Sequence, residues 1–220
     1  MLWLAPAHHE ELLTRWKTLG ARLQKDGNTW RREGQRLTRS WARWPRRYHN
    51  TPHLLACLRH FDVVRDQLDN PIAAELALWF HDAIYWPWLP RNEEKSAVWA
   101  KSFLRRIDMA PSLVDLVCRH ILDTRHQAQP AAGDAQWVVD IDLAILGQSE
   151  AVYRQFERDV RSEYRWVRWS RYVQGRSAVL QSFIDRPTVY STPWFRDQLE
   201  GPARSNLAQA LAALSRGKLY

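Results

Sequence analysis

The sequence predicts an all-α protein, and three observations support that class. Apolar residues recur every three or four positions along most of the 220-residue chain, as they do on the buried face of an amphipathic helix. We find no segment in which apolar and polar residues alternate as in a half-buried strand. Two of the apolar segments follow a polar residue and a proline, a pair that caps and starts helices. We therefore expect a single-domain helical bundle.

Two stripes of apolar residues define helices in the first third of the chain. Spacings of three and four residues place the members of a stripe on one face of a helix. The first stripe comprises Leu12, Trp16, Leu19 and Leu23, and the second comprises Leu54, Leu58, Phe61, Val64 and Leu68.

Capping residues and glycine mark the ends of other predicted helices. Thr51 with Pro52, and Asn70 with Pro71, predict helix starts, and Gly147 predicts a helix end. Further helices are expected over residues 71–86, 92–107, 111–125, 135–147, 149–173, 176–185 and 202–216.

The domain organisation is predicted to be simple. We find no low-complexity linker, internal repeat or shift in composition that would divide the chain. Residues 1–45 are expected to form an N-terminal helical extension, packed on a core domain of residues 46–220.

Charge and composition favour an anionic partner. The chain has 32 lysines and arginines against 24 aspartates and glutamates, a net charge of +8. Such a balance attracts phosphate esters, nucleotides, nucleic acid or acidic surfaces. Hydrophobic residues make up 45% of the chain, which is ordinary for a globular protein and argues against disorder.

Cysteine usage and the opening residues predict a cytoplasmic protein. Cys57 and Cys118 are too few for a disulfide framework in a chain of this length, and they favour a reducing compartment. The opening "MLWLAPAHHEELL" lacks the basic lead of a signal peptide. No apolar stretch has the length of a membrane span, so we expect no membrane partner.

Residues 29–50, "TWRREGQRLTRSWARWPRRYHN", form the most basic stretch of the chain. A helix here would place its tryptophans in the core and its arginines in water. A nucleic-acid surface is the alternative, which we do not favour because bases stack where aromatic residues and arginines share one face. The two opposite faces comprise Arg32, Arg36, Arg39 and Arg43 on one side, and Trp30, Leu37, Trp41 and Trp44 on the other.

A histidine and an aspartate stand side by side in the apolar, aromatic segment "WFHDAIYW", residues 79–86. If a helix continues through this segment, Asp82 has Leu78, Trp79 and Tyr85 as its neighbours. A lone ionised carboxylate in such surroundings is strongly unfavourable. We therefore expect Asp82 to meet a cation, a histidinium or strong hydrogen-bond donors.

Other imidazoles and carboxylates stand in separate predicted helices. Together these ligand types suit Mn, Fe, Co, Ni, Zn or Mg. Adjacent residues on a helix point about 100° apart, so other helices would have to complete a metal site. Taken singly, each candidate also has a structural explanation as a cap, a salt-bridge partner or a surface residue. The candidates are His49, His53, His120, His126, Asp140 and Asp142.

The order of these residues resembles that of the HD superfamily of metal-dependent phosphohydrolases. In that order a histidine comes first, an adjacent His–Asp pair second and a distant aspartate last. From about Arg46 to Leu211 the chain looks similar to a bacterial family of HD-type metal-dependent phosphohydrolases. The resemblance implies a helical bundle of the HD-domain type with a divalent metal ion. Its segments are "RRYHNTPHLLACL", "LALWFHDAIYWPWLPRNEEKSA", "DIDLAILG" and "IDRPTVYSTPWF".

The resemblance implies four metal ligands: His53, His81, Asp82 and Asp142. Asp140 and Asp142 point about 200° apart on a helix, so they should not both face one ion. The local pattern does not choose between them, whereas the match to the superfamily favours Asp142. Asp142 or a neighbouring carboxylate would also receive the proton of an activated water.

Residues around the predicted metal site acquire roles in the same way. "YHNTPH" is similar to the start of the cyclic-nucleotide phosphodiesterase site, which makes His49 a candidate general acid and Arg47 a candidate phosphate contact. Glu94, with Glu93 as the alternative, would orient or deprotonate the water, although both also suit the start of a helix.

Three further residues are candidates for binding the substrate. Lys95 would contact a phosphate oxygen, and Arg125 and His126 would contact the substrate. His120 and His126 are alternatively ligands of a second metal.

The resemblance implies hydrolysis of a small anionic phosphate ester or anhydride by a metal-activated water. Nucleotides are the substrates that the superfamily favours, and the aromatic segment "YWPWLP" can stack on a base. Mn, Co, Ni, Mg, Fe and Zn all stay open as the cofactor. The alternatives are a non-catalytic metal- or nucleotide-binding module and an HD-type di-iron oxygenase.

Overall fold

The computed structural model describes residues 6–220, with side chains from residue 8 onward. Within these residues the chain forms ten α-helices and two short 3-10 helices, and it contains no strand. The predicted all-α class is therefore confirmed. Residues 1–5 of the opening segment, from which we expect no signal peptide, lie outside the described residues. None of the described helices combines the length and apolarity that crossing a membrane would require.

The described helices follow one another with short connections. The two 3-10 helices are Arg65–Gln67 and Leu143–Gly147. The α-helices are α1 (Pro6–Arg22), α2 (Asn28–Trp41), α3 (Thr51–Val64), α4 (Pro71–Phe80), α5 (Asn92–Arg106), α6 (Pro111–Asp123), α7 (Asp134–Asp142), α8 (Glu150–Glu163), α9 (Trp169–Ile184) and α10 (Pro193–Ser215).

The chain divides into two compact units, Met1–Val139 and Asp140–Tyr220. The first unit contains α1 to α6 and most of α7, and the second contains the 3-10 helix Leu143–Gly147 and α8 to α10. The boundary after residue 45 stays a prediction.

A pair of stacked tryptophans joins α1 to α2 in the first unit. The rings of Trp16 and Trp30 are parallel, with centroids 4.2 Å apart, and each indole N–H donates to the backbone carbonyl of the other residue at 2.8 Å. The pair is close because glycines face both rings. A Cβ on Gly34 would stand 2.2 Å from Trp16, and one on Gly20 would stand 2.4 Å from Trp30.

The two predicted apolar stripes lie in the core of the first unit. In the first stripe Leu23 follows the end of α1 and is only half-buried. All members of the second stripe are buried, as are Leu12, Trp16 and Leu19 of the first.

The arginine face of α2 is also as predicted, except at its end. Trp30, Leu37 and Trp41 are buried, but α2 ends at Trp41, so Trp44 lies beyond the helix and is 65% exposed. The expectation that Trp44 packs in the core is therefore wrong.

Two arginines of this segment cover tryptophan rings. The guanidinium of Arg36 stacks over Trp99, and that of Arg43 stacks over Trp86, each at 4.3 Å. These stacked pairs shield indole surface from water.

Several helices begin or end away from their predicted limits. Asn50, not Thr51, caps α3, because its side chain accepts from the amide of His53. Asn70 caps α4 as predicted. The helix predicted over 135–147 changes to a 3-10 helix after Asp142, and Gly147 ends it.

Arginine side chains end two helices earlier than the apolar pattern predicts. Arg46 donates to the carbonyls of Asp82 and Ala83, so α4 ends at Phe80 instead of residue 86. Arg161 donates to the carbonyls of Tyr164 and Val167. The segment predicted as one helix over 149–173 therefore forms α8 and the start of α9. The helix predicted over 176–185 is the rest of α9.

The last helix is longer than the predicted range of 202–216. It begins at Pro193 after Thr192, the same polar-residue and proline pair that starts α4. Pro202 therefore lies inside the helix and does not start it.

Candidate metal centre

Helices α3 and α4 bring two buried histidines together. His53 lies in the first turn of α3, and His81 directly follows α4. The exposed fractions of His53 and His81 are 5% and 1%. Their Nε2 atoms lie 3.3 Å apart, so the sequence-distant histidines share one site.

The orientation of His81 is set by a backbone contact. Its Nδ1 lies 2.8 Å from the carbonyl oxygen of Leu78. A carbonyl can only accept, so Nδ1 carries the proton of the neutral ring and Nε2 presents a lone pair toward His53. A histidine held in this way by a carbonyl is typical of metal sites, where the second nitrogen is the ligand.

A thiol accompanies the histidines. The ligand atoms of His53, Cys57 and His81 all lie within 4.8 Å of one another, and these three residues of the first unit form a group that could hold a metal ion. Cys57 lies one turn after His53 on α3 and is buried. Its Sγ lies 3.7 Å from His53 Nε2. Two imidazoles and a thiol are chemically suitable ligands for a transition metal.

Asp82 stands beside this group without belonging to it. Its Oδ2 lies 3.6 Å from His81 Nε2, and the residue is 7% exposed.

The two aspartates at the end of α7 have different surroundings. Asp140 is fully buried, and its carboxylate accepts from the amides of Ser191 and Thr192 and from the Thr192 hydroxyl at 2.7 to 3.0 Å. It therefore organises the start of α10 inside the second unit. Asp142 stays the predicted metal ligand of the pair.

A buried arginine holds the turn that carries His81 and Asp82. Arg46 Nη1 donates to the carbonyl of Asp82 at 2.7 Å and to that of His49 at 3.1 Å. Its Nη2 donates to the carbonyl of Ala83 at 3.0 Å. Arg46 thus joins the segment before α3 to the turn after α4.

His49, the predicted general acid, lies beside the histidine pair. Its ring stacks on Tyr85 with centroids 4.0 Å apart and lies 6.1 Å from the ring of His53. Arg47 is half-buried in the same segment, and its carbonyl accepts from the side chain of Asn50.

The glutamates at the start of α5 differ in their contacts. Glu94 Oε1 accepts from Arg125 Nη1 at 3.1 Å. The residue predicted to deprotonate the water, Glu94, therefore forms a salt bridge with Arg125, which is predicted to bind the substrate. Burial raises the pKa of Glu93, and the nearby carboxylates of Asp82 and Glu94 raise it further. Lys95 is exposed and donates to the carbonyl of Pro90 at 3.2 Å.

His120 and His126 lie outside the metal-capable group of the described residues. His120 is 3% exposed and lines a cavity of about 520 Å³ with Asp123 and Arg125. Its Nδ1 lies 4.0 Å from Asp123 Oδ2. His126 adopts the left-handed backbone conformation, with a φ of 56°, and interacts electrostatically with Glu93.

Comparison with models of known protein families, with curated proteins and with solved structures matches none of them to this chain. The resemblance to the HD superfamily therefore stays a prediction that rests on the sequence motifs.

Sequence reasoning missed Cys57 and the role of Arg46. The signal for Cys57 was its spacing of four from His53 on a predicted helix, which places both on one face. Arg46 directly precedes the motif "YHN", which indicates that it approaches the site. Its role in holding the turn has no local signal, because its acceptors lie in a turn that the apolar pattern predicts as helix.

Proposed function

We propose that this protein is a metal-dependent phosphohydrolase, and that its metal binds at the group formed by His53, Cys57 and His81. Asp142 keeps its predicted role as a ligand. The observation that carries the proposal is the close approach of the two Nε2 atoms, at 3.3 Å. Because His81 carries its proton on Nδ1, two arrangements explain the short distance. Either His53 donates its one proton to Nε2 of His81, or both Nε2 atoms bind a cation. The neighbouring thiol and the carboxylate of Asp82 favour a cation.

The ligand set selects among the metals that the sequence leaves open. Thiolate and imidazole ligands favour Zn, Fe or Co, whereas Mg prefers carboxylates, carbonyls and water. Cys57 therefore narrows the proposed cofactor to a borderline transition metal. Asp82, 3.6 Å from His81 Nε2, is an additional carboxylate for the same ion.

The residues around the group fit phosphate chemistry. A divalent metal supplies a Lewis acid and a water of lowered pKa. His49 is the proposed proton donor to the leaving oxygen, and its ring is held in place by Tyr85. Arg47 is proposed to contact the phosphate, since a guanidinium matches the geometry of phosphate oxygens. Lys95, Arg125 and His126 keep their proposed substrate contacts.

The substrate class follows from the phosphate chemistry and from nearby aromatic surface. Trp88 is 46% exposed and lies in the segment that begins with Tyr85, the stacking partner of His49. An exposed indole can stack on a nucleobase. We therefore propose small phosphate esters or anhydrides as substrates, with nucleotides first among them.

The direct test combines metal analysis with a hydrolase screen. Purified protein is expected to carry Zn, Fe or Co, and the metal-loaded protein is expected to release phosphate or pyrophosphate from a panel of nucleotides and phosphate esters. A His49→Gln variant should keep its metal and lose at least about 100-fold of the activity, as removal of a general acid does. Bound metal without turnover on the whole panel would favour the metal-binding module instead.

Cys57→Ser tests whether the thiol is a ligand. We expect the variant to bind Zn more weakly by about tenfold or more while its Mn or Mg affinity changes little, because a hydroxyl is a poor ligand for soft metals. Isothermal titration of the metal-free protein measures both affinities. Cys118→Ser is the matched control, since Cys118 is half-buried with its thiol near the Ala97 carbonyl. Equal Zn affinity in both variants would exclude Cys57 from the ligand set.

A further inference from the structure

The second unit carries an arginine- and tryptophan-rich surface between α8 and α9. The chain leaves α8 at Glu163 and enters α9 at Trp169. A cavity of about 640 Å³ opens where these two helices are joined. Its lining residues are Trp166, Val167, Arg168, Ser170, Arg171 and Gln174.

Exposed aromatic residues and arginines alternate along the sequence of the connecting segment and the start of α9. Trp166 is 57% exposed and Trp169 is 37% exposed. Arg165, Arg168 and Arg171 are exposed and stand between or beside them. None of the residues that line the cavity is acidic, so the surface is positively charged and suits an anion.

One arginine fixes the shape of the surface. Arg161 donates to the carbonyls of Tyr164 and Val167 at 2.6 and 3.1 Å. Its guanidinium also stacks over Tyr172 at 4.7 Å and lies 5.6 Å from the ring of Trp169. The connecting segment is therefore held in one conformation, and ligand binding would not have to order it.

We propose that this surface binds single-stranded nucleic acid, with a base stacked on Trp166 and adjacent phosphates on Arg168 and Arg171. Proteins that bind single strands combine a positively charged groove with aromatic rings on which bases stack. Here Trp166, Arg168 and Arg171 line one cavity. On α2 the rings and the arginines lie on opposite faces, and that helix lacks such a platform.

The shape of the surface favours a single strand over a membrane. Peripheral membrane binding needs a broad apolar face that inserts between lipids. Here Val167 is the only aliphatic residue of the cavity lining, and it is half-buried. A concave, basic surface with an exposed indole is better matched to a base and its phosphate.

Fluorescence anisotropy of labelled oligonucleotides of about 12 nucleotides tests the proposal. The probes are oligo-dT, oligo-U and the corresponding duplex, and the titrations run from about 50 to about 200 mM KCl. Both single strands are expected to bind more tightly than the duplex. Comparison of oligo-dT with oligo-U separates DNA from RNA as the source of the ligand.

Two variants identify the surface. Arg168→Ala/Arg171→Ala should reduce the slope of log K against log salt by about 1.4, or about 0.7 for each lost phosphate contact. Trp166→Ala should weaken binding by about 5-fold or more, and Trp166→Phe should restore most of it, because phenylalanine keeps a ring for stacking.

The matched control is Arg32→Ala/Arg39→Ala, which removes the same charge from exposed positions of α2. Its affinity is expected to stay within about twofold of that of the unchanged protein. The proposal is overturned if this control loses as much affinity as the Arg168/Arg171 variant. It is also overturned if no oligonucleotide binds, or if the protein binds only vesicles of anionic lipid.

Discussion

Replacement of His81 by alanine is expected to abolish metal binding while the helices persist. His81 presents Nε2 toward His53 because its Nδ1 is held by the Leu78 carbonyl. Alanine removes Nε2, the proposed metal ligand, entirely. Loss of residues that only orient a ligand costs about 10- to 100-fold in metal affinity, so loss of the ligand itself should cost at least about 100-fold. His53→Ala and Asp82→Ala are expected to act in the same direction.

Elemental analysis and titration of the metal-free variant measure the loss, and circular dichroism measures the helix content. The control is His60→Ala, which removes a half-buried histidine from the same helix, α3, that carries His53. His60→Ala should keep its full metal content. Full metal content in His81→Ala as well would contradict the proposed site, whatever the catalytic activity of the protein.

Replacement of Arg176 by alanine is expected to destabilise the second unit severely. Arg176 makes two hydrogen bonds to the carboxylate of Glu157, at 2.5 and 3.1 Å, and the Glu157 side chain is only 1% exposed. Tyr153 donates to the same carboxylate. Removal of the arginine leaves a buried carboxylate without an opposite charge, which costs about 3 to 5 kcal/mol.

Chemical denaturation followed by circular dichroism measures this change in the free energy of unfolding. The double variant Glu157→Gln/Arg176→Met should recover much of the loss, because neither of its side chains is charged. Arg154→Ala is the surface control, since Arg154 pairs with Glu150 in an exposed salt bridge; its unfolding midpoint should barely change. An Arg176→Ala protein as stable as the control would mean that the buried pair contributes little.

The local sequence pattern predicted the buried core better than it predicted the candidate metal site. Apolar spacing was sufficient for the stripes of α1 and α3, because burial repeats with the helical period. It failed at residues 81–86, where aromatic residues continue the apolar pattern but the carbonyls of Asp82 and Ala83 accept from Arg46. No spacing within the segment encodes a partner that lies so far away in the sequence.

The local sequence pattern also could not separate the candidate metal ligands, because their partners are distant in the chain. Local pattern marked Asp140 and Asp142 equally, since each lies in an apolar run. The amides of Ser191 and Thr192 engage Asp140, and these residues are distant in the chain. The sequence pattern used Cys57 only to argue against a disulfide framework, and its closeness to His53 and His81 depends on the approach of α3 to α4.

The sequence by itself determined the all-helical class, the buried stripes and the burial of a His–Asp pair among aromatic residues. These properties follow from composition and from periodicity within a single helix. Only the tertiary structure decided where α4 ends, that Cys57 joins the two histidines, and that Asp140 is engaged by the start of α10. The reason is physical: a buried polar group must find a partner, and that partner comes from whichever part of the chain the fold brings beside it.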